Sequence, residues 1–210
     1  MDNLKIEEVA KKPYRNEYLL KDGQRLIVRI PDESDAQGLI DQTQTVDRET
    51  KFLSREANEF NFTLEEEREF IRNTLNDKKS WFLIAELGGK IIASSSVGLI
   101  RNQKRYLHRA IIGIAVCKAN WNMGIGKILM QECIVWCKEQ GIEQLELNVI
   151  SQNDRAVSLY KSLGFEIYGT KKHAFKYIDG TYADEYAMIL FINDDKRETG
   201  ETNEFCCNRF

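Results

Sequence analysis

Proline is nearly missing from this chain, with two in 210 residues, so collagen-like and proline-rich linker architectures are excluded. Histidine is as scarce, also two. The five cysteines, at 117, 133, 137, 206 and 207, match neither a zinc spacing nor a secreted disulfide framework, and they read as free thiols. No metal is expected. Charge of one sign is lacking too: 30 Lys and Arg face 33 Asp and Glu, for a net charge of -3. No global field would then draw the protein to nucleic acid or to an anionic membrane, and any phosphate site must be local. Apolar runs stop short of the roughly 18 residues that span a bilayer. The start, Met1-Asp2-Asn3-Leu4-Lys5, lacks the basic-then-apolar order of a signal peptide, which gives the expectation of a cytoplasmic protein. There is no internal repeat and no low-complexity tract.

What is present is a globular balance of 42% hydrophobic and 30% charged residues, enough for one filled core. Tyr18 to Leu20 and Leu26 to Ile30 read as short strands around Asp22-Gly23, and Pro31 stops the second. Asp32 to Thr45 and Leu64 to Leu75 read as helices, the latter opened by Thr63 with Glu66 three residues on. The connection between them is polar and poorly patterned. Trp81 to Glu86 and Ile91 to Leu99 make a hairpin over Gly88-Gly89. Ala110 to Val116 is apolar enough to predict a strand buried on both faces. A helix over Gly126 to Lys138 stops at Gly141. A strand over Gln144 to Ile150, a helix over Asp154 to Leu163 and two strands flanking Asp179-Gly180 complete the order.

Met123-Gly124-Ile125-Gly126 falls between the apolar strand and an amphipathic helix. The first amides of a helix have no intrahelical acceptor, the helix dipole favours negative charge there, and two glycines let a bulky anion approach the main chain. A phosphate or pyrophosphate is the natural ligand. The glycine spacing is not that of a dinucleotide fingerprint, and the Gly-Lys-Ser/Thr ending of a nucleoside triphosphate loop is absent.

That loop, together with Asn153-Asp154-Arg155-Ala156-Val157-Ser158-Leu159-Tyr160-Lys161-Ser162-Leu163-Gly164-Phe165 one strand later, resembles the GCN5-related N-acetyltransferase (GNAT) family over about residues 25 to 192. The resemblance implies a single α/β (α+β) domain: a mixed sheet of about six to seven strands, splayed in the middle and flanked by about four helices. Residues 1–24 would be an N-terminal extension with a short strand, 25–192 the transferase domain, and 193–210 a polar, frayed tail. A homodimer is compatible with such a fold.

It also implies direct transfer of an acetyl group from acetyl-CoA to a primary amine of a small molecule or a protein. Main-chain amides of Asn122, Met123, Gly124, Ile125, Gly126 and Lys127 would hold the pyrophosphate. Ile114, Ala115 and Val116 would pair with the pantetheine arm where their strand splays from Leu145 to Ile150. Asn153, by its position a helix cap, would also touch that arm. Tyr160, two helical turns after Asn153, is either a core aromatic or, as in similar enzymes, the acid that protonates the leaving thiolate. Trp121 stands where the family usually has Arg or Gln, and Ile111 and Ile112 where many relatives have a glutamate base. Glu146 is the best substitute base by position, although alternation equally turns it to solvent or a salt bridge. His108 is a second candidate or a surface histidine of the basic turn, and the strand of Tyr182, Asp184 and Glu185 either places carboxylates around a cationic amine or forms an exposed hairpin rim. The alternative is a coenzyme A sensor that has kept the loop and lost the base.

Overall fold

The computed structural model describes residues 14–192. The proposed tail and the first 13 residues lie outside them. One mixed sheet of eight strands runs through the protein: β1 (Arg15–Leu19), β2 (Arg25–Arg29), β3 (Ser80–Leu87), β4 (Lys90–Leu99), β5 (Arg109–Val116), β6 (Gln144–Ile150), β7 (Glu166–Lys176) and β8 (Tyr182–Phe191), in the order β1-β2-β3-β4-β5-β6-β8-β7. Four helices flank it, α1 (Ala36–Glu49), α2 (Leu64–Asn76), α3 (Ile125–Glu139) and α4 (Asp154–Ser162). The strand count exceeds the expected six to seven. Within the segment assigned to an extension, β1 pairs along its whole length with β2, the chain turning back at Gly23, where φ is +82°.

Thr63 and Glu66 close the anticipated capping box at the start of α2. With α1, this helix covers one face of the sheet through a small core of Ala36, Leu39, Ile71, Phe82 and Ile84. The larger core fills the opposite face. There the apolar stripe of α3 (Leu129, Met130, Cys133, Cys137) and Val157 and Tyr160 of α4 pack on Val97, Ile112, Leu145, Leu147 and Met188. Among the described residues no helix is long and apolar enough to cross a membrane.

Strand β5 departs from the expectation of burial on both faces. Ile112 is 5% exposed but Ile111 is 44% exposed, and Gly113 is open. Side chains alternate along a strand: Ile112 points into the main core under α3 and α4, whereas Ile111, still paired with Gly98 and Glu146, points to the opposite face. Strand β5 also parts from one neighbour. Parallel pairing with β6 covers only Arg109–Gln144, Ala110–Leu145 and Ile111–Glu146. Beyond that, β5 continues along β4 as far as Val116 and β6 continues along β8 as far as Ile150. A gap therefore opens between Ile112–Val116 and Leu147–Ile150, two residues later on β6 than expected.

Burial has a measurable consequence for the thiols. It pushes Cys133 and Cys137 up to about 12 and Cys117 to about 11, from an ordinary value of 9.0. Because the folded values are raised, this contribution to stability is intact below about pH 9 and is lost as pH rises toward 12. Urea midpoints should hold level from pH 7.5 to 9 and fall by pH 10.5, with a shallower fall in Cys133→Ala. A midpoint independent of pH across that window would contradict the burial of these thiols.

Candidate functional site

The gap in the sheet forms part of a cleft of about 670 Å³, within the range that holds small ligands and cofactors. The ends of β5 and β6, the start of α3 and the helix α4 meet there, with α1, β7 and β8 contributing single residues.

The starts of α2, α3 and α4 differ in one respect. Thr63 caps α2, and the Asn153 side chain caps α4 by accepting from the Ala156 amide at 3.3 Å. The N-cap of α3 is Gly124, in the left-handed region at φ +84°, with no side-chain cap. Its first amides open instead onto the cleft, which Asn122, Gly124, Ile125, Gly126 and Lys127 line. Close approach is also needed at Gly126, where a Cβ would meet Leu159 Cδ2 at 3.2 Å. Met123 is the one member of the predicted loop that does not line the cleft. It lies against the main core, with the Asn120 side-chain amide 3.8 Å from its sulfur. An uncapped helix start with a glycine at its cap has the donors and the dipole to receive an anion.

Beside it stand two cations, Lys127 and Arg155. The Arg155 guanidinium lies 3.4 Å over the ring of Trp121, whose indole N–H donates to the Val116 carbonyl at 2.8 Å. Trp121 thus supplies a platform for a positive charge rather than a charge of its own.

The register of the β4–β5 ladder decides which main-chain groups of β5 are free. The Cys117 amide donates to the Ile92 carbonyl at 2.9 Å, and antiparallel pairing alternates. The groups of Ile114 and Val116 therefore face the gap, while those of Ala115 face β4. The Val116 carbonyl is already taken by Trp121, which leaves its N–H. Ala115 lines the cleft, but the predicted main-chain pairing does not extend to it. Its carbonyl also accepts from the buried Gln42 of α1 at 3.4 Å.

Side-chain alternation places the rest on two sides of the sheet. Leu147, Val149 and Tyr186 point to the face of α3 and α4. Asn148, Ile150 and Glu185 accordingly point to the face of α1 and α2. The cleft is lined from both, so it passes through the sheet. On the first face lies Tyr160, 8% exposed, against Phe165 with ring centroids 5.9 Å apart. Burial pushes its phenol up to about 12, and among the described residues nothing hydrogen-bonds its hydroxyl. On the second face lie Asn148, Phe175, Glu185 and the segment Thr50 to Ser54.

Glu146 is not brought to the cleft. It is 7% exposed, accepts from Arg109 at 2.8 and 2.5 Å through Oε1, and accepts from the Tyr168 hydroxyl at 2.9 Å through Oε2. Its place at the last paired position of β5 and β6 makes it a tie across the closed end of the sheet, with both oxygens engaged. His108 lies off the cleft as well, and its carbonyl accepts from the Glu143 and Gln144 amides. Of the last-strand trio, Tyr182 stacks on His173 and Asp184 pairs with Lys172, and Glu185 alone lines the cleft.

Sequence reasoning missed Phe52, Leu53 and Ser54. Their segment is held by Arg55, which donates to the buried Asp47 carboxylate at 3.0 and 3.2 Å, and by Lys51 over the Tyr177 ring. Arg55 is eight residues after Asp47 in a stretch without periodicity, so no local signal announced the pair. Among the described residues no group of His, Cys, Asp and Glu could hold a metal ion.

A model of the acetyltransferase (GNAT) family matches residues 47–165. The L-amino acid N-acetyltransferase AaaT of Escherichia coli (strain K12) is 34% identical over 108 residues, 50% of this chain and 65% of that relative, just under two thirds of its length. A GNAT-family acetyltransferase from Streptococcus pneumoniae superposes with a TM-score of 0.75 at 30% identity, covering 79% of this chain and 99% of that one. The yncA protein from Salmonella typhimurium, solved with its cofactor acetyl-CoA, gives a TM-score of 0.71 at 18% identity over 84% of this chain and 98% of its own. At that identity the likeness is one of fold.

Proposed function

The chain belongs to the GNAT acetyltransferase family, and on that premise we propose that it transfers an acetyl group from acetyl-CoA to a primary amine. One observation carries the reading: the uncapped start of α3, the free edge of β5 and the residue Tyr160 all line one cleft. The amides of Gly124, Ile125, Gly126 and Lys127 hold the pyrophosphate, with Lys127 and Arg155 adding charge. The edge groups of Ile114 and Val116 pair with the amide-bearing arm, and the Val116 N–H also polarises the thioester carbonyl. Asn153 spends its side-chain oxygen on the cap, which leaves its NH₂ for the arm.

When the amine nitrogen bonds to the acetyl carbon, the carbon–sulfur bond breaks. The substrate ammonium loses two protons in all; water takes one, and the other is balanced by the proton that Tyr160 gives to sulfur and later regains. No acyl-enzyme is needed. Cys117, whose thiol burial pushes up to about 11, is a poor nucleophile.

The test is a panel of primary amines with acetyl-CoA, read as free thiol released and as a product 42 Da heavier, the mass of one acetyl group replacing one hydrogen. Turnover of any amine supports the reading. Binding of acetyl-CoA without turnover of any amine would replace it with a coenzyme A sensor.

A further inference from the structure

The two ends of the cleft carry opposite charge. Its lining cations, Lys127 and Arg155, sit where α3 and α4 begin. On the other face of the sheet the walls are Val46, Phe52, Leu53 and Phe175, with neutral Thr50, Ser54 and Asn148, and the ionisable group there is Glu185. No cation lines that end among the described residues. Lys171 of β7 lies behind the carboxylate and donates to its Oε2 at 2.8 Å. The glutamate side chain is 15% exposed and the lysine 57%, so the lysine is held outside while the carboxylate faces in. Oε1 accepts no hydrogen bond among the described residues.

A single inward carboxylate among apolar walls suits an ammonium on an apolar body. It does not suit a free amino acid. The carboxylate of an amino acid is fixed one carbon from its ammonium, so it would be set close to Glu185 with no lining cation to receive it, and like charges in a half-dry site repel strongly. Resting on the transferase reading above, we propose that the acceptor is a primary amine with a neutral neighbouring group and an apolar side chain. Glu185 binds its ammonium and rejects a free carboxylate. An amidated amino acid and the first residue of a peptide share this chemistry.

Acceptor binding is read apart from turnover by calorimetric titration into protein saturated with coenzyme A, whose own binding is measured first. Phenylalaninamide should bind at least about tenfold tighter than phenylalanine. Glu185→Gln should lose about tenfold on the amide and narrow the ratio between the two ligands. Lys171→Met separates binding from mere structure: if Glu185 only anchors β7, both variants weaken the amide alike, whereas an ammonium site is kept or tightened when its competitor lysine is removed. Phe-Gly-Gly binding as well as the amide assigns a peptide source. Binding more than about tenfold weaker assigns a small amidated amine. Phenylalanine binding as tightly as its amide overturns the inference and leaves the transferase standing, as does an unchanged ratio in Glu185→Gln. Failure of coenzyme A to bind overturns both.

Discussion

Gly124→Glu is expected to weaken acetyl-CoA binding by about 100-fold, or about 2.7 kcal/mol, in a protein that remains folded. Two effects act at this residue and they have different sizes. A Cβ at Gly124 meets nothing within 4 Å, so space is not the obstacle. The backbone is at φ +84°, and a non-glycine residue held there costs about 1–2 kcal/mol, which lowers the melting temperature by a few degrees. The larger effect is electrostatic: the new carboxylate reaches the amides that start α3 and occupies the position proposed for the pyrophosphate. Gly124→Ala separates the two, since it carries the strain without the charge. It should cost stability similarly and affinity by only about fivefold. Calorimetric titration of both variants with acetyl-CoA is the measurement. Equal affinities for wild type and Gly124→Glu would remove the loop from the binding site.

Tyr160→Phe should reduce kcat about 100-fold while changing acetyl-CoA affinity less than about threefold. The ring is part of the main core, and phenylalanine keeps its packing on Phe165. Only the hydroxyl is lost. With the phenol pushed up to about 12 by burial, the group stays protonated throughout the neutral range, the state a proton donor requires. Thiolate is a good leaving group, and this sets the loss near the lower end for general acid catalysis. The same kcat in both proteins would return Tyr160 to the role of a core aromatic.

The legible part of the fold was the part written in local periodicity. The helix that became α3 and the capping box of Thr63 and Glu66 are set by residues within a turn of one another. The Asp-Gly turn of the last hairpin is equally local. Burial of β5 on both faces is not legible because composition does not reveal which stretch of each sheet face a helix covers. Ile111 and Ile112 are the same residue type, yet one is 44% exposed and the other 5%. Within the site, the place of the glycines at a strand-to-helix turn is readable from spacing, whereas a role for Tyr160 beyond the core is implied only by the family resemblance. The partners of Glu146 are not readable: Arg109 and Tyr168 come from strands 37 and 22 residues away. Arg155 and Trp121, 34 residues apart in sequence, are likewise joined only by the fold.

The three paired positions between β5 and β6, tied by Arg109 and Glu146, are where the β1–β5 and β6–β8–β7 portions of the sheet meet edge to edge. A cosubstrate lying in the gap would act as a cross-brace between two half-sheets, so its binding energy would count toward the cohesion of the whole molecule. At a hundredfold excess over Kd that amounts to about 2.7 kcal/mol, and melting temperature becomes a direct gauge of occupancy.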